Sequence, residues 1–131
     1  MAAPTAWQLY VVRAAGVTQV AVPAEATWVA VGGGKDCDIV VDAPDFPQLA
    51  FQIVRRPDGA LWLYIHPARL WSGGQTRQAT LRDSIFPLTE PTVIAIHGTT
   101  TRFVLSRRAE LAEARALLSA AERAWGGKTA I

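Results

Sequence analysis

The stretch that decides the fold is residues 28–44, WVAVGGGKDCDIVVDAP. Its first residues alternate as in a half-buried β-strand, a glycine-rich turn follows, and Ile39–Val41 form a second short apolar run. A phosphate-binding P-loop needs the spacing GxxxxGK[ST] and a helix directly after it. Here Asp36 follows Lys35 and a strand comes next. The stretch therefore predicts a turn in a β-rich domain and excludes a P-loop at this position.

The sequence on both sides of this stretch repeats the same short-strand pattern. β-Branched and aromatic residues alternate with polar ones, and turn residues such as those of Pro57–Gly59 and His97–Thr99 separate the runs. Many short strands without intervening helices favour a β-sandwich or barrel. Strands are predicted at Gln8–Arg13, Val17–Val22, Thr27–Val31, Ile39–Val41, Leu49–Arg55, Leu61–Ile65, Gln78–Leu81, Thr92–Ile96 and Thr100–Leu105.

The C-terminal part has a different composition and predicts one helix over residues 107–125. Ser106 is the expected N-terminal cap and Gly126 the expected stop. Its apolar stripe either packs on the domain's own sheet or serves as a docking face or connector. This divides the chain into a β-sandwich (1–106), a helix (107–125) and a tail (126–131). The stripe consists of Leu111, Ala114, Leu118, Ala121 and Trp125.

Composition narrows the class of protein. The chain has 131 residues, of which 50% are hydrophobic and 18% charged, and these values predict a single soluble domain rather than a disordered chain. A net charge of +2 gives no reason to expect nucleic-acid binding. No apolar run reaches the roughly 18 residues of a membrane span, so no direct membrane insertion is expected. The high Ala, Arg and Gly content, with two Lys, is typical of GC-rich bacterial genomes.

The sequence offers no set of residues for catalysis. His66 and His97 have no cysteine or acidic companion at metal-ligand spacing, and Cys37 lies among aspartates that disfavour a thiolate. Ser72 and Ser84 lack the context of a nucleophile. We therefore expect no enzyme activity, no cofactor and no metal ion.

Five tryptophans are many for a chain of this length. Trp28 and Trp62 lie within strand patterns and are predicted to be in the core. Trp71 lies in a predicted loop, where it is either an exposed contact residue or folded back over the core.

Residues 28–44 resemble the forkhead-associated (FHA) domain, whose pattern is roughly hydrophobic-Gly-Arg, four residues, Asp-Ile-Val-hydrophobic-Asp-x-Pro. The resemblance is strongest at Asp38–Val41 and extends over about residues 7–106. It implies an all-β, FHA-like sandwich of about 10–11 short strands, followed here by one C-terminal α-helix. Its usual activity is phosphothreonine recognition through an Arg, a Ser, a His and a later Asn, which supply charge-assisted hydrogen bonds.

These phosphothreonine-binding residues are missing from the chain. Aligned on the Asp-Ile-Val segment, the Arg position holds Gly33, the Ser position Pro47 and the His position Ala50. The later loop, predicted at Pro67–Gln75, has no Asn, and neither has the rest of the chain. Function follows the site rather than the fold, so the resemblance implies the FHA fold without its usual phosphate chemistry.

The resulting hypothesis is a non-catalytic protein-interaction module that binds protein partners without phosphate. Similar phosphate-independent domains form the cytoplasmic end of the inner-membrane ring protein of type III secretion systems, which implies a cytoplasmic adaptor, at the inner face of the membrane through its partners. A homo-oligomer stays open. The first alternative is a phosphopeptide reader with a relocated site using Lys35, Arg55 or Arg69; a small-ligand or enzyme function is the second. Candidate interaction residues are Lys35, Phe46, Arg69, Trp71 and Trp125.

Overall fold

The computed structural model of the chain shows two mainly antiparallel β-sheets and one helix in its described part. It describes residues 7–43, 46–65, 67–80, 82, 84–107 and 110–126. The six-stranded sheet has the order β2-β1-β11-β10-β7-β8, and the five-stranded sheet has the order β4-β3-β5-β6-β9. The strands are β1 (Gln8–Arg13), β2 (Gly16–Ala21), β3 (Trp28–Gly32), β4 (Ile39–Val40), β5 (Phe51–Arg55), β6 (Leu61–Ile65), β7 (Ala68–Ser72), β8 (Gln75–Ala79), β9 (Ile85–Pro87), β10 (Thr92–Ile96) and β11 (Arg102–Ser106).

The hydrophobic core lies between the two sheets. Alternate residues of each strand point inward, as the period-2 pattern requires. In β5, for example, Phe51 and Ile53 are buried while Gln52 between them is partly exposed. Phe51 meets Phe103 of the opposite sheet edge-to-face, with ring centroids 5.0 Å apart. The predicted all-β sandwich with one C-terminal helix is confirmed.

Two strands lie where the sequence predicted none. β7 (Ala68–Ser72) occupies most of the predicted loop Pro67–Gln75, and β8 begins at Gln75 instead of Gln78. β7 and β8 form a hairpin whose turn residues, Gly73 and Gly74, both have positive φ. β9 (Ile85–Pro87) is a three-residue strand beside β6. β8 is polar and β9 has only three residues, and each is an edge strand with one neighbour, so neither shows the apolar alternation that identifies a strand. β7 lies between β10 and β8, and its Arg-Leu-Trp-Ser sequence also lacks a clear pattern.

The helix α1 spans Leu111–Ala124, starting later than predicted. Ser106 is not its cap, because Ser106 is the last residue of β11, and Glu110 occupies the N-cap position without a side-chain cap hydrogen bond. The predicted stop is correct: Gly126 has a φ of 110°, and its N–H donates to the carbonyl of Arg123. Apart from Gly126, the predicted tail lies outside the described residues.

The apolar stripe of α1 packs on the outer face of the six-stranded sheet. Ala114 and Ala121 are buried there, while Leu111 at the start of the helix is 41% exposed. The small alanine side chains let the helix approach the sheet closely. The cluster below and around the helix contains Tyr10, Val93, Val104, Trp71, Leu117, Leu118 and Trp125.

Candidate interaction surface at the loop pole

The loops that bind phosphothreonine in the resemblance described above correspond here to loops at one end of the sandwich. We call this end the loop pole and define it by its described residues 33–38, 41–43, 46–50 and 97–101. β3 ends where β5 begins, with Val31 opposite Phe51, and β10 ends with Ile96 opposite Ala68. The loops that follow therefore lie at the same end of both sheets.

The glycine-rich turn is fastened to the segment before β5 by its own backbone amides. The N–H of Gly33 donates to the carbonyl of Pro47 at 2.8 Å, and the N–H of Gly34 donates to that of Gln48 at 3.0 Å. The thiol of Cys37 also lies 3.1 Å from the Gln48 carbonyl. These amides are already used within the protein, so they are not available to cradle an anion as the amides of a phosphate-binding loop do.

Gly32 is the glycine that this close approach requires. A Cβ at Gly32 would meet the carbonyl of Gln48 and would lie 2.8 Å from the Cα of Leu49. Both are backbone atoms that a side chain cannot displace without moving the loop. At Gly33 a Cβ would only approach carbonyl oxygens at 3.3–3.5 Å. The two adjacent glycines thus have different roles, and only the first is sterically obligatory.

The Asp-Ile-Val segment has a structural role here. The carboxylate of Asp38 accepts a hydrogen bond from the N–H of Ala30 at 2.8 Å and so ties the turn to β3. Ile39 pairs in parallel with Val31 and is buried. The aspartate and the apolar residues after it therefore position the turn by backbone pairing and burial.

The three positions aligned with phosphate ligands differ in their surroundings. Gly33 is exposed and Pro47 is half-buried, and the hydrogen bond between them brings both to the loop pole. Ala50 is fully buried in the core, and its N–H donates to the carbonyl of Val31 at 2.8 Å. The structure therefore brings two of the three together on the surface and places the third in the core.

Acidic side chains outnumber cations beside the glycine turn. Lys35 is exposed, and so are Asp36, Asp38 and Asp42. Arg13 at the end of β1 reaches the same region, and its Nη1 donates to the carbonyl of Asp42 at 2.9 Å. Sequence reasoning missed Arg13, since only the tertiary fold brings the end of β1 beside the residues after β4.

Of the other candidate residues, only Phe46 belongs to the loop pole, and its side chain packs against the core. Phe46 is half-buried and its ring packs at 5.7 Å from that of Phe103, so it anchors the loop to the core. Arg69, Trp71 and Trp125 lie together on the outer face of the six-stranded sheet. The guanidinium of Arg69 lies 5.4 Å from the centroid of the Trp125 ring. Trp71 is a residue of strand β7 beneath the helix, and its prediction as a loop residue is wrong.

Arg55 is also remote from Lys35. It is the last residue of β5, and its N–H donates to the carbonyl of Thr27, before β3 begins. The full length of β5 therefore separates Arg55 from the loop pole. The three cations of the relocated-site alternative, Lys35, Arg55 and Arg69, occupy three different parts of the domain.

Burial shifts the pKa of two groups near the helix. Desolvation raises the pKa of Tyr10 above its usual value, and Glu110 and Glu113 raise it further. Desolvation lowers the pKa of Arg102, which Glu122 of the helix partly counteracts and Arg69 increases. The Nη1 of Arg102 donates to the carbonyls of Thr99 and Thr101. Arg102 thus stabilises the loop between β10 and β11.

Within the described ranges, no group of three or more His, Cys, Asp or Glu side chains is placed to hold a metal ion. Candidate His66 lies outside these ranges, and His97 is an exposed residue of the loop after β10. The same part of the chain contains no helix that is both long and apolar enough to cross a membrane.

The backbone resembles that of several solved structures. The FHA domain of CT664 from Chlamydia trachomatis superimposes with a TM-score of 0.58 and 18% identity, covering 79% of this chain and 99% of that one. The Slr1951 protein from Synechocystis sp. gives a TM-score of 0.56 at 15% identity, with 78% and 98% coverage. The N-terminal FHA domain of Rad53p from S. cerevisiae, solved in complex with a phosphothreonine peptide, gives 0.53 at 17% identity, with 84% and 99% coverage.

This chain has the fold of the forkhead-associated domain. No protein-family profile matches its sequence, and no curated protein matches it either. The FHA-like fold is therefore carried by the strand order and the packing, at identities between 15% and 18% for these structures. The resemblance visible in the sequence alone lies chiefly in residues 28–44.

The prediction that Trp28 and Trp62 lie in the core is wrong. Trp28 was predicted to be in the core, but it is 58% exposed, whereas Val29 and Val31 are buried. In a strand of period 2, buried residues at 29 and 31 place residue 28 on the opposite face. Trp62 likewise lies on the outer side of β6, partly covered by Arg56, whose guanidinium lies 5.5 Å from the ring centroid.

Proposed function

We propose that this FHA-like domain is a non-catalytic protein-interaction module that recognises its partner without a phosphate group. The observation that carries the proposal is the hydrogen bonding of the glycine turn. The amides of Gly33 and Gly34 are paired with the carbonyls of Pro47 and Gln48. A phosphate at this turn would have to compete with those carbonyls for the same donors.

The charges at the loop pole support the same proposal. A phosphothreonine carries about −1.5 to −2 charge and needs cationic or N–H donors to offset its desolvation. Lys35 is a single point charge on a flexible stem and does not replace the planar fork of an arginine. Asp36, Asp38 and Asp42 lie on the same surface and would repel a dianion.

The second candidate function is phosphopeptide binding through a relocated site. It is favoured by similarity to domains solved with bound phosphopeptides, such as that of Rad53p and the FHA domain of yeast Dun1 with a doubly phosphorylated peptide. At the loop pole it would have to rely on Lys35 and on Arg13, and Arg13 already donates to the carbonyl of Asp42. Arg55 lies at the opposite end of β5, and the guanidinium of Arg69 is stacked on Trp125 on the outer face of the other sheet.

A peptide-binding experiment separates the two candidates. The domain is presented with a degenerate phosphothreonine peptide library and with the same library lacking phosphate, at two salt concentrations. We expect no enrichment that depends on phosphate. The variant Lys35→Gln should behave as the wild type, because the lysine holds no phosphate in the proposed function.

Arg77→Gln provides the matched control, since Arg77 is an exposed cation on edge strand β8. Phosphate-dependent binding that Lys35→Gln abolishes and Arg77→Gln retains would overturn the proposal and establish the second candidate. Phosphate-dependent binding that neither substitution reduces would also overturn it and would direct attention to a different cation.

We further propose that the module is a cytoplasmic adaptor in a bacterial assembly, of which a secretion apparatus is one example. What supports this is the resemblance at residues 28–44 together with the occupied amides of the turn. The test is co-purification with products of neighbouring genes, before and after phosphatase treatment. An adaptor of this kind retains its partner in equal yield after treatment, whereas a phosphate-dependent reader releases it.

A further inference from the structure

The outer face of the five-stranded sheet exposes a continuous set of aromatic and aliphatic side chains. Cross-strand register aligns Trp28, Val54, Trp62 and Pro87 in one row over four strands. The next row on the same face contains Ala30, Gln52, Tyr64 and Ile85. Val40 of β4 extends the surface at its edge. We call these nine residues the outer apolar face.

Several of these side chains are exposed to a degree that is unusual for their size. Trp28 is 58% exposed, Val40 54%, Ile85 50% and Tyr64 37%. Scattered apolar residues on a surface need no explanation, but contiguous rows of them mark interaction sites. Tryptophan and tyrosine are also the residues that most often dominate the binding energy of interfaces.

The two sheets of this domain differ in how their outer faces are covered. Helix α1 packs on the six-stranded sheet over Tyr10, Val93 and Val104. The elements that it contacts most, β7, β8, β10 and β11, all belong to that sheet. Within the described residues, no helix lies on the outer apolar face.

We propose that the outer apolar face binds a second copy of this chain, face to face about a two-fold axis. None of its nine side chains carries a formal charge, so two copies can approach without like-charge repulsion. Arg56 at the border is already stacked on Trp62. Gln52 lies within the face, and an amide both donates and accepts, so its own copy is a suitable hydrogen-bond partner. A two-fold interface is self-complementary in this sense.

The geometry of the sheet edges favours contact through the face rather than through the edges. β4 has two residues and β9 has three, the last of which is Pro87. Strands this short present few backbone groups to a neighbouring sheet, and proline offers no N–H. Lateral pairing of two five-stranded sheets would therefore form few hydrogen bonds.

The size of the face sets the strength of the expected dimer. The five strands contain 20 residues. At roughly 3.3 Å per residue and about 4.8 Å between strands, they give a face of about 320 Å². Two copies would bury about 640 Å² in total, well below the range of about 1,200–2,000 Å² for stable complexes. The dimer should therefore be weak and reversible, forming as concentration rises.

Sedimentation equilibrium over a concentration series tests this directly on the purified chain. For the wild type, the average mass should rise with concentration from 14.1 kDa toward twice that value. Trp28→Ser should raise the dissociation constant by about tenfold or more, because it removes the most exposed aromatic side chain of the face. Ile85→Thr, a milder change at another strand of the same face, should weaken the dimer in the same direction.

The matched control is Leu111→Ser, which removes an apolar side chain of similar exposure from the helix instead of the sheet. This control should dimerise as the wild type does. A wild type that stays at monomer mass up to about 1 mM would overturn the proposal. A dimer weakened by Leu111→Ser and unaffected by Trp28→Ser and Ile85→Thr would place the interface on the helix and would overturn it as well.

Discussion

Removing the Trp125 side chain tests whether the C-terminal helix is an integral part of the domain. Trp125 occupies the C-cap position of α1, where it packs with the cluster beneath the helix and lies under the guanidinium of Arg69. Because it follows the last helical residue, Trp125→Ala changes helix propensity little. Its effect should therefore come from lost packing between helix and sheet.

The magnitude follows from the area and the contacts. A buried aromatic side chain covers about 150–250 Å², and Trp125 is partly covered, so about 120 Å² of apolar burial is lost on truncation. At about 25 cal/mol per Å² this amounts to about 3 kcal/mol. The cation–π contact with Arg69 adds about 0.5–1 kcal/mol. The buried indole N–H has no hydrogen-bond partner among the described residues, which subtracts about 1 kcal/mol. The net loss is about 3 kcal/mol.

Urea denaturation followed by far-UV circular dichroism measures this loss without relying on the fluorescence of the removed residue. Leu111→Ala on the same helix is the control, because Leu111 is 41% exposed and lies outside the packed cluster. It should reduce stability by less than about 1 kcal/mol. Hydrogen exchange should show faster exchange of α1 in Trp125→Ala, with the β-strands less affected.

Equal stability of Trp125→Ala and the wild type would refute this reasoning. It would mean that the helix does not depend on the sheet and is free to dock elsewhere. A loss no larger than that of Leu111→Ala would lead to the same conclusion, since both substitutions would then act only on the helix itself.

Two further predictions concern the glycine turn and the buried tyrosine. Gly32→Ala should lower the free energy of unfolding by about 3 kcal/mol because its Cβ meets backbone, whereas Gly33→Ala should lower it by less than about 1 kcal/mol; urea midpoints compare them, and equal losses would disprove the close approach. The raised pKa of Tyr10 means that the folded state keeps a proton that the unfolded chain loses near pH 10, so stability should fall as pH rises from about 10 through the higher folded pKa. Tyr10→Phe should remove this alkaline loss, and an unchanged alkaline slope in Tyr10→Phe would contradict the assignment.

The sequence determined the fold class through local patterns. Short runs of β-branched, aromatic and other apolar residues at Gln8–Arg13, Leu61–Ile65 and Thr92–Ile96 predicted three strands with their observed bounds. Such a run, bounded by turn residues, identifies a strand from neighbouring residues alone. β7 was missed because its sequence combines an arginine, a tryptophan and a following Gly-Gly turn, a mixture that reads locally as a loop.

Local sequence could also identify which residues stand at the positions of phosphate ligands, but not what surrounds them. It placed Gly33, Pro47 and Ala50 by counting from the Asp-Ile-Val segment. Only the tertiary structure pairs the amide of Gly33 with Pro47 and buries Ala50 completely. Both facts depend on how the segment before β5 crosses the turn after β3, and residues distant in sequence make that crossing.

The sequence by itself determined the β-sandwich, the terminal helix and the absence of asparagine from the chain, because each depends on residue type and short-range order. The tertiary structure decided which surfaces are free. It placed Arg69, Trp71 and Trp125 with the helix, away from Lys35. It also aligned Trp28 and Trp62 through Val54 on a sheet face that no described helix covers. Cross-strand register sets such alignments, and register depends on long-range pairing that no single segment of the sequence specifies.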